Sequence, residues 1–212
     1  MLEIVPAILA PNYDKFVEAV RKIEPFSERV HLDILDGAFT PEQTIFGYEE
    51  VGKTETKLKF DVHLMVMHPA EYVPQWLMQT NADRFFIHAE AEGNLSDIFL
   101  SIRSQGKKAG IVLNPETATG DILEYLPSID YIQFMTVHPG GQHRPFLYDM
   151  IDKISTFHDA YPDLTIAVDG GMNPDTVHIA YAAGAQIIVS GSYIMNSTDP
   201  AKAIAELKDN LQ

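Results

Sequence analysis

The stretch HLDILDG, residues 31–37, sets an imidazole and a carboxylate two positions apart in an apolar run that ends in a turn. Successive side chains of a strand point to opposite faces, so His31 and Asp33 share one face while Leu32 and Ile34 share the other. Such a strand needs cover on both sides. Seven more short apolar runs accompany it: EIVPAIL (3–9), LKFDVHLMV (58–66), RFFIHAE (84–90), AGIVLN (109–114), DYIQFMTV (130–137), LTIAVDGG (164–171) and AQIIVSGS (185–192), with RVHLDIL (29–35) as the second of eight. Between most of them lie segments such as NYDKFVEAVRKIE and NPDTVHIAYAAGA, with apolar residues at helical spacing and Asn, Ser or Asp near their starts. Residues 38–57 lack that periodicity and read as a loop with a short helix.

Strands this uniformly apolar suit a parallel sheet covered on both faces, and eightfold strand–helix alternation points to a closed (β/α)8 TIM barrel, one domain over residues 1–212. An open doubly wound sheet is the alternative. Against it, no G-x-G-x-x-G follows the first strand.

Composition narrows the function classes. A chain of 212 residues that is 46% hydrophobic can bury a large core, and the absence of cysteine excludes disulfides, thiolate metal sites and thiol nucleophiles. MLEIVPAILA lacks the basic head and apolar block of a secretion signal, and no run reaches the roughly 18–20 apolar residues of a membrane span. A soluble, cytoplasmic protein is expected. The net charge of −15 opposes binding to nucleic acid and to anionic membranes. It leaves room for a small anionic substrate, because a metal ion or a helix start reverses the potential locally.

Catalytic groups in such barrels sit at the C-terminal ends of the strands. There the second strand brings His31 and Asp33, the third His63, the fourth His88 with Glu90, and the seventh Asp169. Imidazole and carboxylate together suit a divalent ion, Zn2+ or Fe2+ first, with Mn2+ or Co2+ as further options. The competing reading makes each histidine a hydrogen-bonded core residue and each aspartate a helix cap. Strands two and seven lie three steps apart around an eight-strand ring, so Asp33 and Asp169 face one another across the pocket. A planar substrate between them presents one face to each: if its carbonyl and neighbouring hydroxyl bind the ion, the adjacent C–H is acidified, one carboxylate removes that proton and the other returns it from the opposite face. The product is an epimer.

The motifs VPAIL, HLDILDGAFTP, DVHLMV, IHAEAE, LNPET, MTVHPGG, VDGGMN and IVSGSYI follow one another in the order, and near the spacing, of the ribulose-phosphate 3-epimerases, which the chain resembles from about residue 4 to 200. The resemblance implies one divalent ion on His31, Asp33, His63 and Asp169, with Asp33 and Asp169 as the acid–base pair acting through a metal-bound enediolate. It implies D-ribulose 5-phosphate and D-xylulose 5-phosphate as the substrate pair, and a homo-oligomer. Met65 and Met135 fall where the family places methionines over the enediolate, though methionine also fills cores. Gly140 and Gly141 after the sixth strand, Gly170 and Gly171 after the seventh, and Gly191 and Ser192 after the eighth match its phosphate-binding amides.

The departures concern the substrate envelope. Ala7 replaces the serine of PSIL, Leu35 a methionine, Glu42 an asparagine, and HPGGQHRPF (138–146) a loop of different interior sequence. Arg144 or His143 then either supplies positive charge or is a solvated loop residue. An epimerase of a related keto-sugar phosphate, such as a 2-ketohexose 6-phosphate, and a sugar-phosphate-binding paralogue without turnover stay open. A decarboxylase needs Asp-x-Lys-x-x-Asp on strand three, where this chain has His63 and Val66. His88 and Glu90 match no ligand position and read as groups that either support the ligands from behind or line the mouth, His68, His158 and His178 as surface residues, and Trp76 as packing.

Overall fold

The computed structural model describes residues 2–140 and 144–210. Eight parallel strands, β1 (Glu3–Leu9), β2 (Arg29–Leu35), β3 (Lys59–Met65), β4 (Ala82–His88), β5 (Lys108–Leu113), β6 (Tyr131–Met135), β7 (Thr165–Asp169) and β8 (Ile187–Ser190), close into a barrel in chain order. The helices are α1 (Tyr13–Ile23), α2 (Tyr48–Lys53), α3 (Pro69–Leu77), α4 (Leu95–Ser104), α5 (Met150–Ala160), α6 (Pro174–Ala182), α7 (Ser192–Met195) and α8 (Pro200–Asp209). A 3-10 helix, Thr119–Ser128, occupies the β5–β6 crossover.

Helix starts are set by local chemistry. Asn12, Asn94, Asn173 and Asp199 each accept a backbone N–H from the first turn of α1, α4, α6 and α8. Each cap satisfies a donor that the helix itself leaves free, worth about 1 kcal/mol. Pro174 and Pro200 stand in the first turns of α6 and α8, where a missing N–H costs nothing.

The strands bury both faces, and the two faces differ. Outward residues such as Val30, Leu32, Ile34, Val62, Leu64, Phe85 and Ile87 join the large layer between barrel and helices. Val5, Ala7, Phe86, Val112, Met135, Ala167, Ile187 and Val189 form a separate cluster inside the barrel. This plug is narrow and lies between two polar layers.

At the N-terminal end, Arg29 meets Asp61 at 2.6 Å, Asp83 at 2.5 Å and Glu3 at 3.4 Å, while Arg84 meets Glu3 at 2.8 Å and Asp61 at 3.4 Å. Arg84 also lies 5.2 Å over the Tyr131 ring. Burial pushes the Asp61 carboxyl up to about 7, and Arg84 and Arg29 oppose that push. Two guanidinium groups within 3.4 Å favour its ionised form.

Strand β4 begins and ends two residues before the run read from the sequence, so His88 closes the strand and Glu90 lies in the turn beyond it. The alternation of apolar and polar residues continues past the last ladder pair, His88 beside Val112, and conceals the boundary. Residues 38–57 contain only the six-residue α2, as expected. His158 departs from expectation: it is half-buried, and its Nδ1 is enclosed without a hydrogen-bond partner. It packs so closely on Gly184, at φ +108°, that a Cβ there would lie 2.4 Å from the imidazole. His68 and His178 are exposed, and Trp76 is fully buried. No described helix is long and apolar enough to cross a membrane.

Candidate active site

The strand register assembles the site. Asp33 on β2 lies beside His63 on β3, His31 lies beside Ala7 on β1, and Asp169 ends β7 beside Met135 on β6. Closure of the ring then carries Asp169 to the other two strands. His63 Nδ1 is 2.9 Å from Asp33 Oδ1 and 3.4 Å from Asp169 Oδ2, and His31 Nε2 is 3.8 Å and 4.0 Å from the same two carboxylates. One ligand atom from each of the four residues fits within 4.8 Å of all the others. All four side chains are buried.

Electrostatically this cluster is short of positive charge. Two carboxylates are enclosed with two imidazoles, and both nitrogens of His31 are buried without a hydrogen-bond partner. Burial, with the neighbouring His63, drives His31 down to about 3, so it is neutral at pH 7. Burial also opposes charge on His63, but its hydrogen bonds to Asp169 and Asp33 outweigh that and raise it to about 9. Burial lifts Asp33 to about 6. The same burial acts on Asp169, yet the hydrogen bond to His63 and the charge of that imidazolium hold it below the usual carboxylate range.

A lone pair on His31 with no donor, and two anions within reach of it, are the donor set that a divalent cation satisfies. Nitrogen and oxygen donors of this mixture suit Zn2+ or Fe2+.

The cluster opens into a cleft of about 640 Å3, including space open to solvent. Asp33, Asp169, Met65 and Met135 line it, together with Gly140, Gly170, Gly171, Gly191 and Ser192. Of the expected contacts, His31 and His63 sit beneath it, and Gly141 lies outside the described residues. Gly170, at φ +116°, needs to be glycine: a Cβ would come 2.5 Å from Val137.

The Thr136 hydroxyl donates to the carbonyls of Asp169, at 3.0 Å, and Gly170, at 2.6 Å, pinning the end of β7. Thr44 does similar work on β2, accepting from Leu35 N–H at 2.9 Å and donating to the Asp33 carbonyl at 3.3 Å. Neither threonine was identifiable from the sequence, since a threonine beside a strand carries no distinctive spacing.

Arg144 also lines the cleft and is the one cationic side chain among the described lining residues. Its guanidinium donates to the Gly140 carbonyl, at 3.0 Å from Nε, and stands 3.5 Å from Glu42. Two departures from the motif pattern thus meet across the mouth. His143 lies outside the described residues.

His88 is buried behind His63, with Nε2 to Nε2 at 2.9 Å, and its Nδ1 is 3.2 Å from Glu90. Burial lowers His88 to about 4, against the pull of Glu90, and so keeps it neutral. It lies behind the cluster and does not line the cleft.

Paired carboxylates and imidazoles at the C-terminal mouth of a (β/α)8 barrel are the mark of an enzyme site, and opposed acid–base groups there can move a proton beside a polarised carbonyl. The ribulose-phosphate 3 epimerase family model matches residues 3–195. The chain is similar to the ribulose-phosphate 3-epimerase of Bacillus subtilis, 34% identical over 98% of this chain and 99% of the relative. It is also 32% identical to the cytoplasmic isoform from Oryza sativa subsp. japonica, over 99% of this chain and 94% of that one. The 3-hexulose-6-phosphate synthase of Salmonella typhimurium shares the fold, with a TM-score of 0.71 at 15% identity over 99% of this chain and 98% of that chain. The chain belongs to the ribulose-phosphate 3-epimerase family, and with it to the isomerases.

Proposed function

We propose that the chain interconverts D-ribulose 5-phosphate and D-xylulose 5-phosphate by proton transfer at C3, with Asp33 and Asp169 as the two acid–base groups. The observation that carries this reading is the placement of both carboxylates within 3.4 Å of one imidazole while they originate from strands three steps apart. A planar substrate above His63 meets one carboxylate on each face. In either direction one carboxylate begins ionised and the other protonated, and the two exchange states in each turnover.

His31 through Nε2, His63 through Nδ1, and the two carboxylates would hold one divalent ion, Zn2+ or Fe2+ with Mn2+ or Co2+ as substitutes. When bound, the ion supplies Lewis-acid polarisation of the ketone. Met65 and Met135 present apolar, polarisable surface to the cleft and exclude water from the reacting carbons. The phosphate end is read at Gly140, Gly170, Gly171, Gly191 and Ser192, whose open backbone accommodates an anion at close approach. Arg144 adds the positive charge that a dianion requires in an acidic protein.

A second reading, a 2-ketohexose 6-phosphate as substrate, draws on Ala7. Ala7 puts a methyl group where the PSIL motif has a serine hydroxyl, so one polar group of the pentulose-phosphate pattern is missing beneath the strand ends. Turnover of the pentulose and hexulose phosphates by the metal-loaded protein separates the two. The first reading predicts the higher kcat/KM for D-ribulose 5-phosphate; a preference for the hexulose would replace it, and no turnover of either would refute both.

A further inference from the structure

Among the described residues, a line of polar side chains runs from His63 away from the cleft, through His88 to Glu90. We infer that His88 and Glu90 are positioning residues that fix the tautomer of His63, turning its bare Nδ1 toward a divalent cation. The inference rests on the metal reading above, and it adds to that reading a source for the orientation of one ligand.

The geometry runs in one direction. His63 Nδ1 faces Asp33 and Asp169, at 2.9 and 3.4 Å, so this is the nitrogen available to a shared cation. A ligand nitrogen must be without its proton, which obliges the proton to reside on Nε2. That Nε2 is 2.9 Å from Nε2 of His88, with the two ring planes only 15° apart and their centroids separated by 5.1 Å. So close an approach of nearly parallel planes at that centroid separation means the rings meet edge to edge, as in an N–H···N hydrogen bond. One of the two nitrogens must donate and the other accept.

The far end decides which. His88 Nδ1 is 3.2 Å from Glu90 Oε2. The other Glu90 oxygen accepts the Asn114 N–H at 3.0 Å and the Thr117 hydroxyl. Those donors hold Glu90 as an acceptor, so the proton between Glu90 and His88 belongs to His88 Nδ1. Neutral His88 then has a bare Nε2, which accepts from His63 Nε2–H and leaves His63 Nδ1 free. The Phe39 ring, 4.6 Å from the His88 ring centroid, packs on the relay. Carboxylate-to-histidine hydrogen bonds orient metal ligands in this way generally; here a second imidazole is interposed.

The test uses the full chain labelled with 15N-histidine and Zn2+ as the probe, read by long-range 1H–15N correlation spectra and by competition with a chromophoric chelator. The zinc-loaded wild type is expected to show His63 protonated at Nε2 alone and His88 at Nδ1 alone. Glu90→Gln, whose amide can donate to His88 and reverse the line, is expected to weaken zinc binding about 10- to 100-fold. His88→Gln, whose carbonyl can accept from His63 Nε2–H, is expected to stay nearer the wild type. Zinc bound by the wild type with His88 protonated at Nε2, or bound equally by Glu90→Gln, would overturn the relay while sparing the metal site. No zinc binding by the wild type would overturn the metal reading and the relay with it. The wild-type spectra alone decide between the two tautomers even if a variant fails to fold.

Discussion

The two ends of the barrel both bury carboxylates, but they treat them in opposite ways. At the N-terminal end Asp61 sits between Arg29 and Arg84, and Glu3 and Asp83 complete a network in which charges of both signs alternate. At the C-terminal end Asp33 and Asp169 share a space with imidazoles alone, and both nitrogens of His31 lack a hydrogen-bond partner. The first arrangement is complete in itself and serves the fold. The second could hold a cation, and it opens into the cleft. In the proposed reading, holding the fold together and performing the reaction fall to different layers of one interior, with the apolar plug around Phe86 and Val112 between them.

The comparison can be broken most sharply by exchanging carboxylates for amides at each end. Asp33→Asn and Asp169→Asn should each lower epimerase turnover about 10²- to 10⁴-fold, measured by a coupled assay, while the circular dichroism spectrum stays unchanged. Normal turnover in either variant would remove that residue from the pair. Asp61→Asn should do the reverse. Leaving two guanidinium groups without their shared carboxylate should destabilise the fold by about 3–5 kcal/mol in urea denaturation, with activity per folded molecule retained. Equal loss of activity at both ends would erase the division of labour.

A third prediction concerns pH. His63 in the metal-free protein is raised to about 9, above its ordinary value of 6.5, so its proton stabilises that form fully below pH 6.5, and this contribution fades as pH rises through 9. In the proposed reading a cation takes the place of that proton. Calorimetric titration with Zn2+ at pH 7–8 in buffers of different ionisation heat should register close to one proton released, and affinity should fall as pH is lowered. Heat independent of the buffer would contradict it.

The smallest effect is expected at the rim, where the guanidinium of Arg144 is partly solvated. Arg144→Gln should raise KM for the sugar phosphate by roughly tenfold, the equivalent of one charge-assisted hydrogen bond, with kcat nearly unchanged. An unchanged KM would make Arg144 a loop anchor to Gly140 and Glu42 only.

Much of this division was visible in the amino-acid order. Period-2 spacing placed His31 and Asp33 on one face, and eight apolar runs alternating with helical segments pointed to a closed parallel barrel, with an open doubly wound sheet as the alternative. The end of β4 was less legible, because the polar–apolar alternation runs on through Glu90 after the ladder has stopped. The roles of His88 and Glu90 stayed open between support and lining for a different reason: strand spacing gives the face a side chain occupies, but ring orientation depends on neighbours brought in by closure. For the same reason the sequence left Arg144 open between solvent and cleft, and the structure places it on the cleft wall beside Gly140.

The most direct test of the two-carboxylate account is the conversion of D-ribulose 5-phosphate by the metal-loaded protein in D2O, followed by 1H NMR at C3. Opposed acid and base groups predict D-xylulose 5-phosphate carrying deuterium at C3, at a level that does not change with the ketose concentration. Xylulose 5-phosphate that forms with its original C3 proton would contradict proton exchange through Asp33 and Asp169.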